Sequence, residues 1–101
     1  MWIQTQNKQR IINADQIVDI FIDRTGTKIF AETAIDRDNS NFVPLGEYKD
    51  RDTCLKILEH IFVMGFAVGV PAIEMPLGGE IDKWESDLAE IATNYIMSKK
   101  H

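Results

Sequence analysis

Apolar and polar positions alternate through residues 16–23 (QIVDIFID). Val18, Ile20 and Ile22 fall on one side, and Asp19, Phe21 and Asp23 on the other. Period two with β-branched residues on one face predicts a strand. Phe21 among the aspartates indicates that the second face is partly covered too. After the turn signal Arg24-Thr25-Gly26-Thr27, residues 28–35 alternate again, with Ile29, Ala31, Thr33 and Ile35 on one face. The two runs predict a hairpin. Upstream, residues 2–5 and 10–13 read as short strands turning at Asn7-Lys8, where Asn tolerates the left-handed conformation a tight turn demands.

Residues 36–41 (DRDNSN) form a polar loop, and the apolar pattern resumes over 42–48. Pro44 cannot donate to a ladder, so that strand is at an edge or bulged, and Gly46 permits a kink or a close approach. The period then changes to helical. Asp50 is the expected N-cap, with Asp52 adding favourable charge in the first turn. Cys54, Leu55, Leu58, Ile61 and Phe62 recur on one side, with Lys56, Glu59 and His60 on the other. Gly65 is the expected C-cap. No helix runs past Gly69 and Pro71, and residues 70–75 read as a short strand. Pro76, Gly78 and Gly79 make a loop. A second helix is predicted over 82–98, opened by a capping-box pair, Asp82 and Glu85. Its apolar stripe is Ile81, Trp84, Leu88, Ile91, Ala92 and Tyr95, and Lys99, Lys100 and His101 complement its dipole.

These elements predict a single α+β domain over 1–101. An antiparallel, meander-like sheet of four to six strands is packed by a helix near 51–64, with a C-terminal helix near 82–98. The body is 1–76 and the linker 77–81. A small pleckstrin-like barrel is the alternative.

The totals narrow the function. A chain of 101 residues with 45% hydrophobic and 27% charged side chains builds a core and is not a disordered tail. Residues 1–65 carry 8 basic and 10 acidic side chains, and residues 66–101 carry 3 and 6, for a net charge of −5. Neither half has the basic footprint that nucleic acid requires. One cysteine, Cys54, makes no internal disulfide. The N-terminal residues lack a signal-peptide pattern. The longest apolar run, residues 61–73, is interrupted by Gly65, Gly69 and Pro71 and is shorter than the roughly 20 residues of a membrane span. A cytoplasmic protein without a membrane partner is expected.

The sharpest chemical pattern is D-R-D-N-S-N-F-V-P-L-G-E, residues 36–47. Asp36, Asp38, Ser40 and Glu47 match the oxygen-donor offsets of a twelve-residue calcium loop, and Val43 its apolar position. Asn41 stands where that loop has Gly, Pro44 follows the apolar position, and the flanks read as strands. A polar hairpin loop is therefore the favoured reading, with a calcium- or small-ligand-binding loop as the alternative. Cys54 and His60 lie six apart on one helix and face different sides. Cys54 reads as a core residue and His60 as a solvated one. The pairs Asp36/Asp38 and Asp50/Asp52 are explained by solubility and capping. No catalytic residue, metal centre or cofactor is expected. The last helix offers interface candidates in Trp84, Leu88, Ile91 and Tyr95, which either pack on their own sheet or carry self-association into a homodimer.

Three pieces in order, MWIQTQNKQRIIN, LGEYKDRDTCLKILEHI and Glu74-Met75-Pro76, resemble a group of small uncharacterised proteins of Gram-positive bacteria and their phages and mobile elements. The resemblance covers about residues 1–76 and implies a strand meander, one helix and a closing strand. It implies no activity and no catalytic residues, and the helix after Asp82 lies outside it. The expectation for function is a non-enzymatic cytosolic interaction or assembly protein whose partner is another protein or a second copy.

Overall fold

The computed structural model describes residues 1–34 and 39–98. Strands β1 (Trp2–Gln4) and β2 (Ile11–Asn13) are followed by a 3₁₀ turn (Ala14–Gln16). Then come β3 (Ile17–Ile22), β4 (Lys28–Ala34), β5 (Ser40–Glu47), α1 (Arg51–His60) with a π-helical continuation (Ile61–Val68), β6 (Ala72–Glu74) and α2 (Ile81–Ser98). The class is α+β, as the periodicities predict.

The sheet topology differs from a single meander. Among the described residues six strands form two three-stranded sheets, ordered β2-β1-β6 and β3-β4-β5, and no closed barrel forms. The break falls at the 3₁₀ turn. There the Asn13 side chain accepts from Asp15 N at 3.0 Å, and the next hairpin leaves the first sheet. The chain returns through α1 to lay β6 parallel to β1, with Ile3 opposite Ile73. A parallel pairing needs such a helical crossover.

Ile3, Ile12 and Ile73 from one sheet and Ile29, Ala31, Val43 and Leu45 from the other meet Ile57, Ile61, Trp84 and Leu88 in one core. Asp50 caps α1 as expected, its carboxylate accepting from Thr53 N at 2.8 Å. At the first turn the left-handed residue is Lys8 (φ 63) rather than Asn7. Asn7 instead braces the turn with its side-chain oxygen, accepting from Gln9 N at 3.0 Å and from the Thr5 hydroxyl at 2.8 Å.

Several expected positions move. Val18 is not an inner-face residue. A register shift between Ile17 and Asp19 makes it the extra residue of a bulge, and it is 62% exposed. Pro44 lies at a second shift, on edge strand β5, as its missing donor requires. That strand already begins at Ser40. Gly65 does not end the helix. It is buried within the π segment, where Met1 and Ile73 occupy the space a Cβ would take. The helix ends at Gly69 (φ 84), whose N–H bonds back to Met64 O at 3.1 Å. Leu55 and Phe62 are exposed and Ile57 takes the core position. Asp82 and Glu85 form no capping box, because α2 begins before them and both face Lys56. The expectations for Ile35, Asp36, Asp38, Lys99, Lys100 and His101 fall outside the described residues.

Candidate interaction surface

Eight consecutive apolar residues, Ile61–Val68, continue α1. A helix apolar all round belongs inside a core, yet this one is half outside. Ile61 and Gly65 are buried, Met64 and Val68 half-buried, and Phe62, Val63, Phe66 and Ala67 exposed. The repeat is four. That is wider than the roughly 3.6 of an α-helix and suits the π turn, which bonds i to i+5. The backbone thus presents Phe62 (66% exposed) and Phe66 (55% exposed) one above the other on the outer face.

Facing them is β3, an edge strand whose bulge turns Val18 outward. Ile17, Val18, Asp19 and Ile20 on one side and Leu58, Ile61, Phe62 and Phe66 on the other line a groove of about 450 Å³. Its apolar residues are contiguous, the condition under which exposed hydrophobic surface marks a contact site. Asp19 is the one charged side chain among these lining residues.

Two other depressions differ in character. Trp2, Gln4, Ile11, Ala72, Ile73, Glu74 and Ile91 line an apolar groove of about 740 Å³ on the outer face of the first sheet. A cleft of about 230 Å³ over Trp84 is lined by Lys8, Glu74, Glu80, Lys83 and Asp87, with Lys8 Nζ and Glu74 Oε1 paired at 2.8 Å. On the outer face of the second sheet, Phe21 stacks on Phe30 (ring centroids 5.8 Å apart) and meets Phe42 edge-on (5.9 Å). This is the partial cover that Phe21 signalled.

The interface candidates on α2 separate. Trp84 and Leu88 are buried against their own chain, Ile91 is exposed and Tyr95 half-buried. The Trp84 indole Nε1 donates to Glu74 O at 2.6 Å. His60 is not simply solvated. Its ring meets Trp84 edge-on at 5.6 Å and its Nε2 lies 3.5 Å from Glu85 Oε2, beside the Lys56 Nζ–Glu85 Oε1 pair at 2.9 Å. Lys56 is held above the ordinary lysine pKa, first by its hydrogen bond to Glu85 and then by that carboxylate's charge. Cys54 is buried. Burial first, then the charges of Asp23 and Asp50, push its thiol pKa up. It is therefore a core thiol, not an activated nucleophile.

Of the calcium-loop set, Ser40 and Glu47 stand at opposite ends of β5, seven residue steps and roughly 23 Å apart, so the strand does not bring them together. Asp36 and Asp38 are outside the described residues. Among the described residues no three His, Cys, Asp or Glu side chains group to hold a metal ion, and no helix is long and apolar enough to cross a membrane.

The exposed pair Phe62 and Phe66 was readable in principle. Eight apolar residues in a row cannot all face a core from one side of a sheet. The bulge at Val18 has no comparable signal. No protein family, curated protein or solved structure matches the chain.

Proposed function

We propose that the chain is a non-enzymatic interaction module that binds another protein through the Phe62–Phe66 groove. The carrying observation is the exposed apolar face of the π segment beside the bulged edge of β3. The chemistry-bearing side chains have structural partners instead: Cys54 in the core, His60 against Trp84 and Glu85, Lys8 with Glu74. The likeness of residues 1–76 to small uncharacterised proteins of Gram-positive bacteria, phages and mobile elements supports a phage or mobile-element origin and assigns no role. The test is affinity capture with tagged wild type and with Phe62→Ser/Phe66→Ser, both first shown to melt alike. Proteins retained by the wild type and absent from the variant are expected. Identical retained sets would sink the reading.

Self-association is a second reading, favoured by Ile91, which stays exposed on α2 and shares a groove with Trp2 and Ile11. Light scattering on the wild type and on Ile91→Asp tests it, with a concentration-dependent dimer that disappears in the variant as the expected result.

A further inference from the structure

We infer that the chain forms a symmetric dimer through the outer edge of β2, which pairs antiparallel with β2 of a second copy. The inference rests on the self-association reading above and names the element that carries it. The four sheet edges are β2, β6, β3 and β5, and they are not alike. At β3 the bulge at Val18 disrupts the ladder. At β5 Pro44 lacks a donor, and the Gln6 amide occupies the Glu47 backbone. At β6 the Trp84 indole takes Glu74 O. Among the described residues β2 has no such guard. It pairs with β1 in unbroken register. Thr5 N donates to Arg10 O and Ala14 N to Met1 O. The antiparallel alternation therefore turns the Ile12 backbone toward β1 and leaves that of Ile11 and Asn13 facing outward. The Ile11 side chain, 63% exposed, stands at this edge and lines the apolar groove shared with Trp2 and Ile91.

A second copy fits the edge. With a two-fold axis between the two Ile12 residues, Ile11 lies opposite Asn13 of the second copy. The Ile11 C=O then accepts from that N–H, once on each side of the axis. The two Ile11 side chains become diagonal neighbours, within reach of each other. The nearest charges before and after β2 are Arg10 and Asp15, both exposed. Antiparallel pairing brings the Arg10 end of each β2 beside the Asp15 end of the other, so opposite charges meet twice. One contact closes both open edges.

Sedimentation velocity on the full chain at rising concentration is expected to show a monomer–dimer equilibrium. Ile11→Pro removes an outward N–H and keeps the bonds to β1, and should raise the dimer Kd about tenfold. Arg10→Asp and Asp15→Arg should each raise it about fivefold, and the two together should restore the wild-type value. Variants are compared once shown to melt alike. The wild type supplies a second readout, because amide exchange at Ile11 and Asn13 should slow as protein concentration rises. A dimer indifferent to Ile11→Pro, a double variant no tighter than the single ones, or exchange independent of concentration would each overturn the inference. If that dimer is still dissolved by Ile91→Asp, self-association stands by another surface. A wild type that stays monomeric up to about 1 mM defeats the inference and the self-association reading together.

Discussion

The side-chain amide of Gln6 pairs with the backbone of Glu47 as a strand would: Nε2 donates to Glu47 O at 3.1 Å and Oε1 accepts from Glu47 N at 2.9 Å. Nε2 also lies 3.2 Å from Pro76 O, and Gln6 N donates to Leu45 O at 2.8 Å. One residue just after β1 thus joins the first sheet to the end of β5 and to the segment leaving β6. Gln6→Ala removes the side-chain bonds and should lower stability by about 2 kcal/mol. Gln6→Glu should do comparable harm, because a carboxylate then faces two carbonyls. Urea unfolding with an unchanged m-value checks this.

Trp84 fastens α2 through packing and through its bond to Glu74 O. Trp84→Phe keeps most of the packing and loses the bond, for about 1 kcal/mol. Trp84→Ala should cost about 4 kcal/mol. Ile91→Ser, at an exposed site on the same helix, should stay within about 0.5 kcal/mol. Equal effects at positions 84 and 91 would show that α2 is not docked by its Trp84–Leu88 face.

Much of the fold was legible because its signals are local. The strands over 17–22 and 28–34, the Asp50 cap and the Pro44 irregularity all stand in the structure, while the bulge at Val18 breaks the alternation of the first strand. The partition into two sheets was not legible. It depends on a three-residue 3₁₀ turn and on β6 pairing with β1 across some seventy residues, and periodicity carries no long-range pairing. Phe62 was assigned to the core for a related reason. The buried stripe runs through Cys54, Ile57 and Ile61, so Leu55 within the α-helix and Phe62 just after it both fall outside. Gly65 looked like a cap because glycine usually ends helices. Here it serves close packing, and Gly69 four residues on supplies the left-handed turn.

Stability should fall at both ends of the pH scale, for different groups. The carboxyls of Asp23 and Asp50 are held below the ordinary value of 3.8. For Asp23 the Thr25 hydroxyl is the first cause, and for Asp50 hydrogen bonds from Thr53. Their contribution is complete above that value and is lost as pH falls through the depressed folded-state values, because the unfolded chain then binds more protons. Burial raises the Tyr48 phenol above its ordinary 10.0 and the Cys54 thiol above 9.0. Their contribution is complete below those values and is lost as the unfolded chain ionises at higher pH. Melting temperatures from pH 2 to 11 should show both slopes. Asp23→Asn with Asp50→Asn should flatten the acid side, and Tyr48→Phe with Cys54→Ala the alkaline side.

The Cys54 thiol lies within the core, 0% exposed. In folded protein at pH 8 its alkylation by iodoacetamide should proceed only as fast as the chain opens, orders of magnitude slower than in urea. Stabilising conditions should slow it further. Rapid modification of the folded chain would contradict the assignment of Cys54 to the core.

The most direct test of the groove as the contact surface is photo-cross-linking inside cells, with benzoylphenylalanine at position 66 or at position 42. Phe66 and Phe42 are equally exposed, at 55% each, but only Phe66 lines the groove. An adduct with another protein from position 66 and none from position 42 is the predicted result. Adducts from position 42 alone, or equally from both, would contradict it.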